Sequence, residues 1–274
     1  MPIAAHVVLL IIDGLRPDAI VPDVMPALFA LGERGYRATG LTVRPSVTVA
    51  ALTSVASGVC PSVHGLTAPG LPSLTRLGGL RPLPAELRRH YHRTAIAIAD
   101  LPGSQRLLAR TLLSLAGVTS LLAGGRTPRD VAARASRVVR DERPSFTVCY
   151  VNDCDKAGHA HGWMSGAYLE AAQACDQAAA ELACLTDDAE TILLVCADHG
   201  GGGVEPTDHD APHPVNDAIP LIAYGAPIAP RQASETPSLL DIPPTVLHAL
   251  GVPRPSSWMG RPLGCFEAEA VAVG

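Results

Sequence analysis

The chain alternates between short, continuously apolar runs and longer stretches in which apolar residues recur at helical spacing. Five of the apolar runs are predicted to be strands: 6–12, 94–99, 146–151, 191–196 and 219–224. Apolar and polar residues do not alternate inside these runs. That pattern is typical of strands covered on both faces in a mostly parallel sheet.

Helical spacing fills the stretches between the strands. It predicts helices over 25–34, 48–57, 127–140, 165–185 and 243–250. The last of these starts with two prolines after Asp241, which suits a first helical turn. The alternation of strand and helix predicts an α/β fold. Its central sheet is doubly wound and mostly parallel, with helices on both faces.

The domain organisation is interpreted as a single domain over 1–274, since no repeat or low-complexity linker divides the chain. Residues 66–126 are punctuated by Pro and Gly and fit the pattern least, so they are interpreted as a small inserted cap or rim. Inside this region the apolar run 107–125 contains Arg110 and other polar residues. It indicates a buried or partner-facing helix rather than a membrane span. The tail 266–274 is expected to fray.

The composition and net charge of the chain bear on which partners it could bind. The chain has 274 residues, 47% of them hydrophobic, and a net charge of −5, and nothing in this composition suggests a nucleic-acid groove, which would need a basic face. The arginine-rich run 126–143 is interrupted by Asp130, Asp141 and Glu142, which indicates a solvated helix face. No nucleic acid or membrane is expected as a partner, and a dimer is compatible with the sequence.

Cysteine usage and the start of the chain bear on localisation. Seven cysteines, an odd number, are scattered through a chain too large to need disulfide staples. This indicates reduced thiols and a cytoplasmic protein. The apolar start resembles a signal peptide but has no basic segment before it and no small-residue cleavage site after it, so a strand is predicted there.

Carboxylates and imidazoles follow three of the predicted strands and precede a fourth. These residues are Asp13, Asp155, His159, Asp198, His199, His209 and His213. Ligands in open α/β sheets bind where the carboxyl ends of the strands meet, so these side chains are expected to converge. Mixed carboxylate and imidazole ligands suit zinc, manganese or iron. Two triads can be drawn, which indicates two metals arranged as in enzymes that transfer phosphoryl groups.

A candidate nucleophile lies at the start of the predicted helix 48–57. The hydroxyl of Thr48 would sit at the positive end of the helix dipole, next to free N–H groups that favour a phosphate. The alternative is that Thr48, or Ser46, only caps the helix. Local sequence alone favours the cap, and the nearby candidate metal ligands favour the nucleophile.

Several segments together resemble the motif series of the alkaline phosphatase superfamily. They are "IIDGLRPDAI", "PSVTVAALTSVASGVCPSVHG", "NDCDKAGHAHG", "VCADHGGGG", "HDAPHPVNDAIPLIAYG" and "DIPPTVLHALGVPRPSSWMGRPL". The branch that looks most similar is the type I phosphodiesterase/nucleotide pyrophosphatase family. The resemblance runs in order from Val7 to Leu263, with a middle that is much shorter than in large members.

The resemblance implies a role for each matching residue. One divalent metal would be held by Asp13, Asp198 and His199, with Thr48 bound to it as the nucleophile, and the other by Asp155, His159 and His209. His209 is preferred over His213 because the family's H-G-x-x-x-P pattern fits it. Asp210 replaces the usual glycine, so His213 remains an alternative ligand. Zinc is the expected metal. The glycines after His199 are expected to let the backbone lie close to the metals.

The sequence departs from the diesterase pattern at two positions. Ala51 stands where diesterases of this branch carry an asparagine that contacts a phosphoryl oxygen. Lys156, the only lysine in the chain, follows Asp155, and D-K-x-x-H resembles bacterial alkaline phosphatases in which this lysine helps bind phosphate. An ammonium there favours a dianionic monoester, whereas a chance surface lysine would do nothing.

These observations indicate a dinuclear-metal phosphoester hydrolase that forms a phosphothreonine intermediate. The preferred activity is that of a phosphomonoesterase acting on a small metabolite, with a phosphodiesterase or nucleotide pyrophosphatase as the alternative. A catalytically inactive metal-binding scaffold is less favoured, because buried Asp and His side chains without a metal are costly. A sulfatase would need Cys or Ser at position 48, and a phosphomutase would need a large inserted domain.

Overall fold

The computed structural model describes residues 2–67 and 79–266, which are built around one sheet. The eight strands in chain order are β1 (His6–Ile12), β2 (Tyr36–Leu41), β3 (Thr94–Ile98), β4 (Ser120–Ala123), β5 (Phe146–Val151), β6 (Thr191–Cys196), β7 (Ala218–Tyr224) and β8 (Arg231–Gln232). Their order across the sheet is β4-β3-β5-β1-β6-β7-β2-β8.

Strand β7 runs against the main direction of the sheet. Strands β4, β3, β5, β1 and β6 are mutually parallel, whereas β7 pairs antiparallel with both β6 and β2. The amino end of β7 therefore lies at the edge where the parallel strands have their carboxyl ends. All seven residues of β1, in the middle of the sheet, are buried, as expected for a strand covered on both faces.

Helices cover both faces of the sheet, which confirms the predicted α/β architecture. Their bounds are α1 (Pro26–Arg34), α2 (Thr48–Ser57), α3 (Pro61–His64), α4 (Leu83–Arg89), α5 (Gly103–Leu115), α6 (Pro128–Glu142), α7 (Asp153–His161), α8 (Gly166–Ala183), α9 (Pro214–Asp217) and α10 (Ile242–Ala249). Helices α1, α6, α7 and α8 form one connected set, and α2, α4 and α10 form another. No helix in the described ranges is long and apolar enough to cross a membrane.

The predicted strands all occur, but β2, β4 and β8 were not predicted. β2 carries Arg37 and Thr39 and is partly exposed, so it lacks the apolar run used to find the others. β4 was hidden inside the run 107–125, which was expected to be one helix. The helix ends before Gly117, where φ is +102° and an added Cβ would lie 2.5 Å from the backbone nitrogen of Ala85.

Two expectations for the middle of the chain need correction. α5 buries none of its residues, so it is not a buried helix; Leu107 and Leu115 are 69% and 75% exposed. The region 66–126 was interpreted as a cap or rim, yet β3 and β4 are strands of the central sheet. Residues 68–78 of that region, and 267–274 of the tail expected to fray, lie outside the described residues.

The position of α2 is fixed at its carboxyl end by a close backbone contact. Gly58 ends the helix with φ of +68°, the left-handed conformation that glycine adopts at little cost. Its carbonyl accepts a hydrogen bond from the Met259 amide at 2.8 Å, and the Trp258 ring covers it. An added Cβ would lie 2.4 Å from that ring. The C-terminal segment thereby holds the helix that begins at Thr48.

We expect Gly58→Ala to lower the free energy of unfolding by about 2–4 kcal/mol, because it combines left-handed strain with overpacking against Trp258. Gly103→Ala is the matched control: it lies at the start of α5, and no described residue comes within 4 Å of its added Cβ. The control should be neutral or stabilising by up to about 1 kcal/mol. Urea unfolding of both variants tests this, and equal midpoints would contradict it.

Candidate active site

Four segments converge at one edge of the sheet. The carboxyl ends of β5, β1 and β6 are neighbours there, because these strands are parallel and adjacent. The loop before β7 reaches the same edge because β7 runs in the opposite direction. The sheet topology thus brings together side chains that are almost two hundred residues apart in sequence.

The first group of side chains surrounds the Nε2 atom of His199. This atom lies 3.3 Å from Oδ1 of Asp13 and 3.7 Å from Oδ2 of Asp198. The hydroxyl of Thr48 lies 3.3 Å from the same nitrogen. Asp13, Asp198 and His199 are buried and form a group that could hold a metal ion.

Each carboxylate in this group is anchored through one oxygen only. Oδ1 of Asp198 accepts hydrogen bonds from the amides of Gly14 at 3.2 Å and His199 at 3.1 Å. Oδ2 of Asp13 accepts a hydrogen bond from the Tyr150 hydroxyl. The other oxygen of each is buried without a hydrogen-bond partner among the described residues, and so is Oδ1 of Asp155. Partnerless buried carboxylate oxygens aimed at one place fit divalent cations.

The second group is built on α7 and the loop before β7. Oδ1 of Asp155 lies 3.3 Å from Nε2 of His159, one helical turn later, and 3.7 Å from Nε2 of His209. The rings of His209 and His199 are stacked with their centroids 3.8 Å apart, which joins the two groups. Asp155, His199 and His209 form a second set that could hold a metal ion, with His159 beside it.

The three imidazoles are oriented alike. Nδ1 of His199 lies 2.8 Å from the carbonyl of Gly200, Nδ1 of His209 lies 2.7 Å from that of Ser46, and Nδ1 of His159 lies 2.9 Å from that of Thr207. A carbonyl oxygen can only accept, so Nδ1 carries the proton in each bond. Nε2 then points into the cluster in all three residues, the arrangement found in metal-binding histidines.

His213, the alternative ligand, is placed differently. It precedes α9 as its N-cap, and its Nδ1 accepts a hydrogen bond from the Val215 amide at 3.3 Å. Its ring lies against Gly203. The structure therefore brings His209, and not His213, next to Asp155 and His199.

Thr48 does not cap α2. It is the first residue of the helix, the N-cap is Val47, and the Val47 side chain makes no capping hydrogen bond. The Ser46 hydroxyl is fully buried and donates to the carbonyl of His209 at 2.8 Å. Neither residue therefore acts as the expected cap: the Thr48 hydroxyl faces His199, and Ser46 ties the start of the helix to the His209 loop.

The two positions that depart from the diesterase pattern differ in solvent exposure: Ala51 is buried and Lys156 is exposed. Ala51 is fully buried one turn after Thr48. Lys156 is exposed on α7. Burial raises the pKa of both Asp153 and Asp155, and the positive charge of Lys156 opposes that rise. Its ammonium makes no ion pair within 4.0 Å in the described part of the chain.

The glycines near the site serve close packing between segments. An added Cβ on Gly14, where φ is +69°, would lie 2.9 Å from Cα of Asp155, so only glycine lets the segments that carry Asp13 and Asp155 approach this closely. The glycines after His199 were expected to make room for the metals. Instead, Cβ atoms at Gly201 and Gly202 would lie 2.1 and 2.7 Å from Trp163.

Three aromatic residues at the site were missed in the sequence. Tyr150 holds Asp13, and both Trp163 and Tyr168 donate to the carbonyl of Gly14, at 2.8 and 2.9 Å. Tyr150 sits in an apolar strand and the other two follow the D-K-x-x-H segment, positions that look like ordinary core residues in a sequence. Only the fold shows that they fix the turn after β1.

The electrostatics of the cluster favour added positive charge. Burial, and then the charge of Asp13, raise the pKa of Asp198 well above its usual range and that of Asp155 to about 6. Burial would lower the pKa of His199, but the charges of Asp198 and Asp13 raise it to about 10. A protonated His199 thus partly neutralises the carboxylates. A divalent cation would do so more fully and displace that proton.

Comparison with known proteins finds sequence relatives and solved structures of the same fold. Among curated proteins, the chain is similar to the 2,3-bisphosphoglycerate-independent phosphoglycerate mutases of Methylobacillus flagellatus (26% identical over 142 residues, 51% of this chain and 27% of the relative) and Haloarcula marismortui (30% over 138 residues, 49% and 26%). The matches thus span about a quarter of the relatives' length.

Solved structures share the fold at low identity. Murine ectonucleotide pyrophosphatase/phosphodiesterase 5 has a TM-score of 0.70 at 13% identity, covering 94% of this chain and 97% of that one. The phosphonate monoester hydrolase of Silicibacter pomeroyi also has 0.70, at 14% identity, covering 94% and 76%. An alkaline phosphatase superfamily protein from Vibrio parahaemolyticus has 0.67 at 18%, covering 94% and 69%.

The match to a family model covers the segments of the candidate site and seven of the eight described strands almost completely. Residues 7–70 and 86–230 match the model described as type I phosphodiesterase / nucleotide pyrophosphatase. These two ranges hold all of the converging side chains, from Asp13 to His209, and they make up most of the chain. The protein belongs to the type I phosphodiesterase / nucleotide pyrophosphatase family.

Proposed function

We propose that the chain is a metal-dependent phosphoester hydrolase that uses Thr48 as its nucleophile. The observation that carries this proposal is the 3.3 Å contact between the Thr48 hydroxyl and Nε2 of His199. The same nitrogen lies 3.3 Å from Oδ1 of Asp13 and 3.7 Å from Oδ2 of Asp198, two oxygens that have no hydrogen-bond partner among the described residues. Nucleophile, candidate ligands and a helix N-terminus thus meet at one point, as covalent phosphoryl transfer requires.

Two divalent cations fit the donor set, with zinc first and manganese or iron as alternatives. Asp13, Asp198 and His199 would hold one, and Asp155, His159 and His209 the other. When bound, the cations would favour the ionised hydroxyl of Thr48 and offset the charge that develops on the phosphoryl and leaving oxygens.

The residues of the chain then perform two displacements. Thr48 Oγ1 forms a bond to phosphorus as the bond to the leaving alcohol breaks, giving a phosphothreonine. Water then breaks the phosphothreonine bond, which releases phosphate and restores the hydroxyl. The first N–H groups of α2 have no intrahelical partners and can bind phosphoryl oxygens during both steps.

For the substrate we favour a small phosphomonoester. Lys156 lies next to the ligand Asp155 on α7, and Ala51 offers no polar contact one turn after Thr48. The curated relatives are named as phosphoglycerate mutases, and one structural neighbour is named as a phosphonate monoester hydrolase. The alternative is a phosphodiesterase or nucleotide pyrophosphatase, which the name of the family favours, as does a neighbour solved in complex with AMP.

The first prediction concerns metal content. Purified protein should contain about two divalent ions per chain, and Asp198→Ala and His159→Ala should each lose roughly one or more, because each removes a proposed ligand. His213→Ala is the matched control and should keep both, since this ring caps α9. Elemental analysis provides the measurement. Two retained metals in both ligand variants would refute the assignment.

The second prediction concerns the nucleophile. Thr48→Ala should lower kcat on an aryl phosphate by roughly 10³-fold or more while metal content and fold are kept, and Thr48→Ser should keep part of the activity. Thr53→Ala, on the same helix with its hydroxyl bonded to the Val49 carbonyl, is the control and should remain active. Wild-type turnover by Thr48→Ala would instead favour direct attack by water.

The third prediction separates the two substrate classes. The wild type should prefer aryl phosphate to bis-aryl phosphate, and Lys156→Ala should lower kcat/KM for the monoester by about 10–100-fold with a smaller effect on the diester. A dianion gains more from the ammonium than a monoanion does. Lys156→Arg retains the charge and serves as control. Equal losses on both substrates, or a diester preference in the wild type, would place the chain among the phosphodiesterases.

A further inference from the structure

A cavity opens at the same edge of the sheet as the candidate active site, away from the candidate metal ligands. It has a volume of about 490 Å³ and is lined by the ends of β3 and β4 and the first turns of α6. Neighbouring strands lie about 4.8 Å apart, so β3 and β4 lie about 10 and 14 Å from β1. The cavity therefore flanks the candidate active site at a distance that one small molecule could span.

Three arginines line this cavity: Arg126, Arg134 and Arg137. None of their guanidinium groups lies within 4.0 Å of a carboxylate oxygen in the ranges 2–67 and 79–266, although eight other arginines of the chain form such pairs. The lining thus holds three guanidinium groups against two carboxylates, those of Asp100 and Asp130, in a chain with a net charge of −5. It gives the cavity an attraction for anions.

The two carboxylates in the cavity are already engaged. Oδ2 of Asp130 accepts hydrogen bonds from the amides of Arg126 and Thr127, both at 3.1 Å, as part of the capping box of α6. Asp100 pairs with Arg106. Neither acid forms an ion pair within 4.0 Å with the three arginines, so the guanidinium N–H groups are not taken up by these carboxylates, although Asp130 and Arg134 attract each other at longer range.

The loop between β4 and α6 is shaped around one of these arginines. Gly124 has φ of +153°, and a Cβ added there would lie 2.9 Å from Cζ of Arg134. The guanidinium thus packs on bare backbone, which limits its freedom. Gly125, with φ of +108°, brings the chain back to the first turn of α6, where an added Cβ would lie 3.0 Å from the Val131 amide. The positive end of the α6 dipole adds to the field in the cavity.

We propose that Arg126, Arg134 and Arg137 form an anion site for a phosphoryl group, separate from the metal centre. Guanidinium groups bind phosphate through paired hydrogen bonds, which an ammonium cannot form. The phosphoryl group has two candidate sources. It is either a free phosphate anion or the distal phosphate of a substrate whose other phosphoryl group lies at Thr48.

The test is equilibrium dialysis of the metal-loaded protein with radiolabelled inorganic phosphate. Arg134→Gln/Arg137→Gln should remove one phosphate site, or weaken it at least tenfold, while the site at the metals stays. Arg129→Gln/Arg140→Gln is the matched control, since it removes two charges from exposed positions on the same helix outside the cavity. Thermal unfolding of both variants checks that they are folded. Equal phosphate binding by the cavity variant and the control overturns the proposal.

Steady-state kinetics distinguish the two candidate sources of the phosphoryl group. If the cavity binds the distal phosphate of a substrate, the cavity variant raises KM for a bis-phosphorylated alcohol at least tenfold and leaves an aryl phosphate unaffected. If it binds free phosphate, the two substrates keep their wild-type ratio while the dialysis site is lost. The proposal rests on the proposed function only if the cavity binds the distal phosphate of a substrate. The dialysis does not depend on turnover, so its failure is distinct from failure of the Thr48 mechanism.

Discussion

The placement of three carboxylates out of water at one sheet edge constrains most of the surrounding structure. Asp13 and Asp198 are almost fully buried, and Asp155 is largely so. An isolated buried carboxylate costs several kcal/mol, so each needs donors or cations nearby. The Gly14 amide, the Tyr150 hydroxyl and the imidazole of His199 supply part of this compensation. Divalent cations would complete it, and for that reason the same residues define a site.

The antiparallel direction of β7 determines the edge of the sheet at which the preceding loop lies. A parallel strand in that place would send the preceding loop to the opposite edge of the sheet. Because β7 runs against β6, the loop from Gly200 to His213 remains at the edge where Asp13 and Asp198 lie, and His209 stacks on His199. The glycines of this loop then allow it to fold tightly over Trp163, whose indole donates to the turn after β1.

Much of this arrangement could be predicted from the sequence because the signals were local. Continuous apolar runs marked the buried strands, and acids placed directly after them marked the edge. The prediction failed where tertiary contacts override local pattern. β4 was concealed in a run of leucines that a glycine pressed against Ala85 divides into helix and strand. Likewise, Tyr150 looks like any strand residue until its hydroxyl is placed against Asp13, a contact between residues 137 positions apart.

The two reciprocal hydrogen bonds between Ser46 and His209 couple the motions of the segments that contain them. The Ser46 hydroxyl donates to the His209 carbonyl, and Nδ1 of His209 donates to the Ser46 carbonyl. The two residues belong to segments 163 positions apart, and one stands two residues before Thr48. Local opening of either segment must break both bonds, so the two should open as one cooperative unit. Thr48 and His209 are therefore mechanically linked: a fluctuation that displaces one also displaces the other.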